Sequence, residues 1–338
     1  MAGITHLDAF QEPTLRGLVD ASVKDKTVTL GDGFLPNVDT YSTKFAYDII
    51  KNNQYIAAMI GYGSEPPVID RDAVAGMSGE LAKMGLKYIA TEEELLALNQ
   101  ARSSGEEAGI IDAVTGQAIK LVTAIQRRVD VTKMEAITKG TFSYNKNGVK
   151  INLNFGVPSN HKVALAPGAD WSVISRDVIG DLLAWADTYE TSTGRMPETI
   201  LISRQAFAKL TKNTQIIVEA GRPTGVTRAS EEDVHAVLGS YGLPRMTIVG
   251  DRKVTVTSPY TGLPEVIEFM PEARVVFVSS GLGEYLYGPT VENNFEPGIA
   301  LTAKDLDEPI MSVIRVAATG FPAIKSPELL FHADVYTP

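Results

Sequence analysis

The sequence predicts an α+β fold. Three observations predict it. Asp112 to Gly140 (DAVTGQAIKLVTAIQRRVDVTKMEAITKG) carries one continuous helical apolar stripe. Thr141 to Phe155 follows at once and alternates apolar with polar residues around an Asn147-Gly148 bend, a strong hairpin signal. The remaining helices and strands mostly do not alternate as βαβ units.

Composition narrows the class. The chain has 338 residues, 44% hydrophobic and 21% charged, which suits a soluble protein with a sizeable core and two or three lobes. No apolar run approaches the roughly 20 residues of a membrane span, and no secretory signal opens the chain. There is no cysteine, so disulfides, thiolate metal sites and cysteine nucleophiles are excluded together. The net charge of −10 argues against a broad nucleic-acid grip, and it suits a surface that repels phosphates.

In chain order, residues 1–36 read as an arm, with weak periodicity and too few apolar residues for a core of their own. Residues 37–90 read as an extended β-hairpin loop region. Phe45 to Ile50, Tyr55 to Tyr62 and Leu86 to Ile89 are strand-like pieces around Pro66-Pro67 and a glycine patch at Gly76 and Gly79. Such a loop is usually functional, and packing on a neighbouring subunit is one way to order it.

Thr91 and Glu94 form a capping-box signature for a short helix whose apolar side is Leu95, Leu96 and Leu98. Ser103 to Glu107 punctuates. The long helix follows, with Val114, Ala118, Leu121, Ile125 and Val129 as its stripe, Ile119 and Val122 widening it, and Gly140 as its C-terminal cap. A helix this long spans roughly 40 Å and carries no catalytic motif, so it reads as a strut.

A second lobe begins near Pro167. Ser172 is the expected cap of a helix to Thr191, which Gly194 and Pro197 end. Strands are expected at Thr199 to Ser203, Met246 to Val249, Val254 to Thr257, Val266 to Met270 and Arg274 to Val278. Helices are expected near Gln205 to Leu210, Gln215 to Ala220 and Ser230 to Tyr241. The tail reads as strands broken by Pro322 and Pro327.

The chain carries no catalytic constellation. Gly281-Leu282-Gly283 leads into a strand rather than a helix, and Gly221 to Gly225 lacks the lysine of a phosphate loop. His6, His161, His235 and His332 are scattered, without the spacing of a metal site, and there is no Gly-x-Ser-x-Gly elbow. No cofactor is implied.

Two charged clusters have a structural and a functional reading. Asp70, Asp72 and Glu80 are either paired carboxylates or, more often for such charges, a solvated or salt-bridged face, and Arg71 among them is a candidate intersubunit ion-pair donor. Arg127, Arg128, Asp130, Lys133 and Glu135 are either helix-surface salt bridges or contacts with an adjacent chain. Trp171 and Trp185 read as core anchors.

Taken in series, particular segments carry a family resemblance over nearly the whole chain. They are PPVIDR (Pro66 to Arg71), RRVD (Arg127 to Asp130), DVIGDL (Asp177 to Leu182) after Trp171, and PETILIS (Pro197 to Ser203). Later come YGLP (Tyr241 to Pro244), FMPEARVVFV (Phe269 to Val278), GLGEYLYGPT (Gly281 to Thr290) and TGFPAIKSP (Thr319 to Pro327). In this order the chain resembles the major capsid proteins of tailed bacteriophages, the family typified by the phage lambda major head protein.

The resemblance implies the Johnson fold, the Hong Kong 97-type capsid architecture. Its parts would be the arm at 1–36, the extended loop at 37–90, a peripheral domain at 91–166 and 300–338 around a spine helix at 112–139, and an axial domain at 167–299. It implies a structural role without catalysis, in which copies close through pentamers and hexamers into an icosahedral shell around packaged double-stranded DNA. The expected location is the virion capsid, after assembly in the bacterial cytoplasm. A portal is an implied partner, and a decoration protein on the outside is left open. The first 35 or so residues are too few for a long scaffolding extension, which implies a separate scaffolding protein or cleavage of a short piece only. DNA would be enclosed without sequence-specific binding, and no membrane is involved. The competing readings are an encapsulin-like compartment shell and, in a different class, a soluble α+β enzyme or binding protein.

Overall fold

A computed structural model describes residues 3–42, 44–49, 75–99, 104–146, 149–259, 261–307 and 310–338. Tyr55 to Tyr62, Pro66-Pro67, Asp70, Arg71, Asp72 and the Asn147-Gly148 bend lie outside the described residues. The chain divides into two compact units. One holds the described residues within 1–46, 78–133 and 284–323, the other those within 47–77, 134–283 and 324–338.

The chain opens with α1 (Glu12–Lys24), a helix that the weak periodicity of the arm does not announce. Proline in its first turn, Glu12 at its start and Lys24 at its end favour it locally. Its buried Leu15 and Val19, four residues apart, join Ile4 and Phe10 in a core built mostly by later segments. The arm thus has too little apolar content to fold alone, yet it contributes a layer to another core. Next comes α2 (Leu30–Phe34), closed by a Thr29/Asp32 capping box.

Strands β1 (Asn37–Asp39), β2 (Lys44–Ile49), β3 (Ala75–Glu80) and β4 (Ala82–Ala90) follow, with β2 and β3 forming a two-stranded sheet. In α3 (Glu92–Asn99) the Glu94 carboxylate accepts the Thr91 N–H at 2.9 Å, one half of the expected box. Leu95 is buried, whereas Leu96 is exposed.

The long helix, α4 (Ser104–Lys139), has 36 residues and begins eight residues before the expected Asp112. The run from Ser104 to Glu107, expected to precede the helix, lies inside it. The buried stripe is Val114, Ala118, Val122, Ile125 and Val129. Val122 takes the place expected of Leu121, which is only partly buried, and Ile119 is exposed. Each buried valine or isoleucine contributes roughly 1.5–3 kcal/mol. By length and mean hydropathy alone, Ala108–Lys139 could cross a membrane. Its stripe instead belongs to the core of the first unit.

Beyond α4 come β5 (Thr141–Lys146) and β6 (Val149–Asn154), the expected hairpin, with Thr141 opposite Asn154 and Lys146 opposite Val149. After β7 (Lys162–Ala164), α5 (Val178–Thr193) begins at an Asp177 cap rather than at Ser172. Turns hold residues 166–176 out of the helix: the Trp171 N–H donates to the Val335 carbonyl and the Ser172 N–H to Asp170. Gly194 ends α5 in the left-handed region, as expected.

The second lobe continues with β8 (Thr199–Ser203), α6 (Arg204–Leu210), α7 (Thr214–Glu219), α8 (Glu231–Ser240) and β9 (Met246–Val249). Then come β10 (Lys253–Thr257), β11 (Pro264–Glu268) and β12 (Arg274–Val278), and the tail forms β13 (Gly283–Gly288), β14 (Ile299–Asp307), β15 (Ile310–Ile324) and β16 (Leu330–Asp334). Strand β15 runs through Pro322. Its pairing with β4 ends at Gly320 and with β14 at Ala318, so Pro322 lies beyond both of those ladders.

In the first unit, β14 and β4 flank β15, which leads through β13 to β1. The inner face, with Ile314, Val316, Ala318, Leu301 and Tyr285, packs in the same core as α4 and α1. In the second unit the sheet order is β7-β16-β12-β8-β9. Strands β8 and β12 are buried on both faces, which is why both read as unbroken apolar runs. Trp171 and Trp185 stack at 6.0 Å in that unit's core.

Candidate functional site

The chemistry-bearing residues gather along α4, and they fasten it rather than form a catalytic centre. In the C-terminal third of the helix lies a box of four charges, all in the first unit. Lys133 is fully buried. Its Nζ donates at 2.5 Å to Asp32 Oδ1 and at 2.6 Å to Asn37 Oδ1, and lies 5.4 Å from the centre of the Tyr285 ring. Lys26 Nζ lies 2.5 Å from Asp130 Oδ1 and 3.4 Å from Asp32 Oδ2. The Thr29 hydroxyl and N–H both donate to Asp32 Oδ2 at 2.9 Å.

Burial would raise the Asp32 pKa, but the hydrogen bonds from Lys133 and Thr29 outweigh it and hold it at about 2. Burial lowers the Lys133 ammonium below its ordinary range, and the Asp32 carboxylate offsets only part of that shift. This box ties the segment before β1 to the helix. Lys133, read from the sequence as a helix-surface group, is instead an interior ion-pair partner, and the 101 residues between it and Asp32 leave no spacing signal.

The last turn of α4, in the second unit, is fastened differently. A helix end leaves carbonyls without partners inside the helix. Here the Gly140 N–H donates to the Ala136 carbonyl at 3.1 Å, His332 Nε2 to the Ile137 carbonyl at 2.8 Å and Arg274 to the Thr138 carbonyl at 3.0 Å. Asp334 grips the Arg274 guanidinium at 2.7 and 3.0 Å. Gly140 has φ +64°, and a Cβ there would lie 2.8 Å from Val157 and 2.9 Å from His332. Burial, with Arg274 nearby, pushes His332 down to about 3, so the ring is neutral at ordinary pH and its Nε2 carries the proton.

The sequence-singled residues are therefore not one cluster. Arg127 is exposed and Arg128 half-buried. Asp130 is engaged by Lys26 of its own chain. Glu135 is nearly buried and accepts from Lys139 at 2.8 Å, one turn on. Among the described residues no group of three or more His, Asp or Glu could hold a metal. A groove of about 600 Å³ in the second unit is lined by Ile174, Ile217, Val226, Lys212 and Arg228 with two threonines, without a convergent acid or nucleophile.

A spine helix fastened at two places and a sheet around a 15-residue strand fit a structural, shell-building class of protein. The comparisons agree. The chain belongs to the family described as phage major capsid protein E, which matches residues 21–293. No curated protein is similar enough to match. Among solved structures, it resembles a prophage protein of Escherichia coli CFT073 described as a capsid protein, at 16% identity and a TM-score of 0.61, covering 96% of this chain and 98% of that one. A phage-related protein from Bordetella bronchiseptica RB50 overlaps at 12% identity and TM-score 0.56, covering 96% and 97%. The capsid of cyanophage P-SCSP1u overlaps at 12% identity and TM-score 0.50, covering 93% and 89%. The fold is thus that of the phage capsids, and the chain is a structural protein of the virion shell.

Proposed function

We propose that this chain is the major head protein of a tailed bacteriophage, closing through pentamers and hexamers into an icosahedral shell around packaged double-stranded DNA. The observation that carries the reading is the family match across residues 21–293. Many weak contacts between copies sum to a stable shell. Rings close because head-to-tail contacts rotate by a fixed angle. In this reading residues 1–36 are the arm, 37–90 the extended loop, 91–166 and 300–338 the peripheral domain and 167–299 the axial domain. Assembly takes place in the bacterial cytoplasm with a scaffolding protein and a portal, and DNA is enclosed without sequence readout.

Arg127, on the exposed side of α4, is the member of the helix cluster most available to a neighbouring copy. Arg128 would contribute from the same helix and Asp70, Arg71 and Asp72 from the loop, whereas Asp130 and Glu135 are engaged by Lys26 and Lys139 of their own chain. The test is expression with and without the genomic neighbours, followed by electron microscopy. Closed shells or capsomer rings are expected. A strictly monomeric protein under every condition sinks the proposal.

A further inference from the structure

The outer face of the first unit's sheet is basic, although the chain as a whole carries −10. On β4 the exposed positions are Lys83, Gly85, Lys87 and Ile89. Register places Arg315 of β15 directly between Lys87 of β4 and Thr302 of β14, and Val313 between Ile89 and Lys304. This face of the three strands therefore shows four cations and no carboxylate, interleaved with apolar side chains. One carboxylate reaches it from the flanking turn. Glu292 accepts from Lys83 at 2.7 Å and pairs with Arg315. Lys87 and Lys304 are exposed and have no ion-pair partner among the described residues.

Two features make this more than a solvated face. Lys87 and Arg315 stand directly opposite each other, a like-charge arrangement that destabilises a lone sheet. Glu292 offsets the Arg315 charge and leaves Lys87 unpaired, and a conflict only partly compensated within the chain is expected where something outside supplies the rest. The rest of the surface is acidic on balance, so a second copy of this chain is the partner to which such a patch is drawn.

We infer that the outer face of β4, β15 and β14, through Lys87, Lys304 and the flanking Arg315, docks an acidic surface of a second copy of this chain. The inference rests on the shell-building reading and names a receiving surface within it. The contact is electrostatically steered and sensitive to salt, with Ile89 and Val313 supplying an apolar floor.

The test compares wild type with a Lys87→Glu/Lys304→Glu double variant under particle-forming conditions, from low to high salt. Both side chains are exposed, and thermal unfolding checks that the variant folds. Particle yield is expected to fall by about tenfold or more, and added salt to weaken wild-type assembly. Independently, a photoreactive amino acid at position 87 is expected to give chain-to-chain adducts in assembled particles. Variant yield equal to wild type, or adducts absent or made only to DNA, overturns the inference while leaving the shell reading intact. Failure of wild type to form particles overturns both.

Discussion

The two fastenings of the spine helix differ in kind. The box at Lys26, Asp32, Asp130 and Lys133 is ionic, and the joint at Gly140, His332 and Arg274 works through a neutral imidazole, a paired guanidinium and a backbone turn. The first is held by opposite charges that must stay charged. The second depends on one ring staying uncharged. The same helix is therefore loosened at its two fastenings by different conditions, and pH separates them.

Removing one side of the ionic box is the largest expected effect. Lys133→Met leaves Asp32 half-buried without its main partner and is expected to cost about 3–5 kcal/mol. Urea unfolding measures the loss, and hydrogen exchange should place it in residues 26–37 and the C-terminal third of α4. Adding Asp32→Asn is expected to recover part of that loss, a coupling read from the double-mutant cycle.

Acid should open the joint first. The His332 pKa falls from 6.5 to about 3 on folding, so the unfolded chain binds the proton more readily. The stabilisation is complete above about pH 6.5 and is lost as pH falls toward 3, at up to about 1.4 kcal/mol per pH unit. Arg274 and Lys162 add to the effect by repelling the imidazolium. His332→Gln is expected to flatten stability between about pH 6 and pH 4. An unchanged slope would remove His332 from the account.

The ionic box should hold through that range. Asp32 is lowered from 3.8 to about 2, so its contribution is present above pH 4 and lost between 4 and 2. It amounts to about 2 kcal/mol. Gly140→Ala is expected to cost about 2 kcal/mol or more, because an L-residue is strained at that backbone angle and its Cβ meets Val157 and His332. The smallest effect is Arg127→Ala, expected to change subunit stability by less than about 0.5 kcal/mol. A large loss would show that Arg127 serves its own chain rather than a neighbour.

Much of this was readable along the chain wherever the cause is local. The α4 stripe, the Gly140 stop, the hairpin after it and the buried runs of β8 and β12 follow from spacing and residue type. The Ser172 expectation failed because turns pinned by Val335, far away in sequence, claim the residues after Trp171. Helix α1 went unseen because its apolar residues are sparse and find their partners only in a core made by α4 and the sheet.

By itself, then, the sequence determined the α+β class, the strut and the family, because these depend on local periodicity and on the order of segments. Only the tertiary structure decided that Lys133 is an interior ion pair, that His332 caps a helix 195 residues upstream, and that four cations share one sheet face. Those pairings join positions far apart in the chain, and no local spacing encodes which distant carboxylate, carbonyl or strand a side chain will meet.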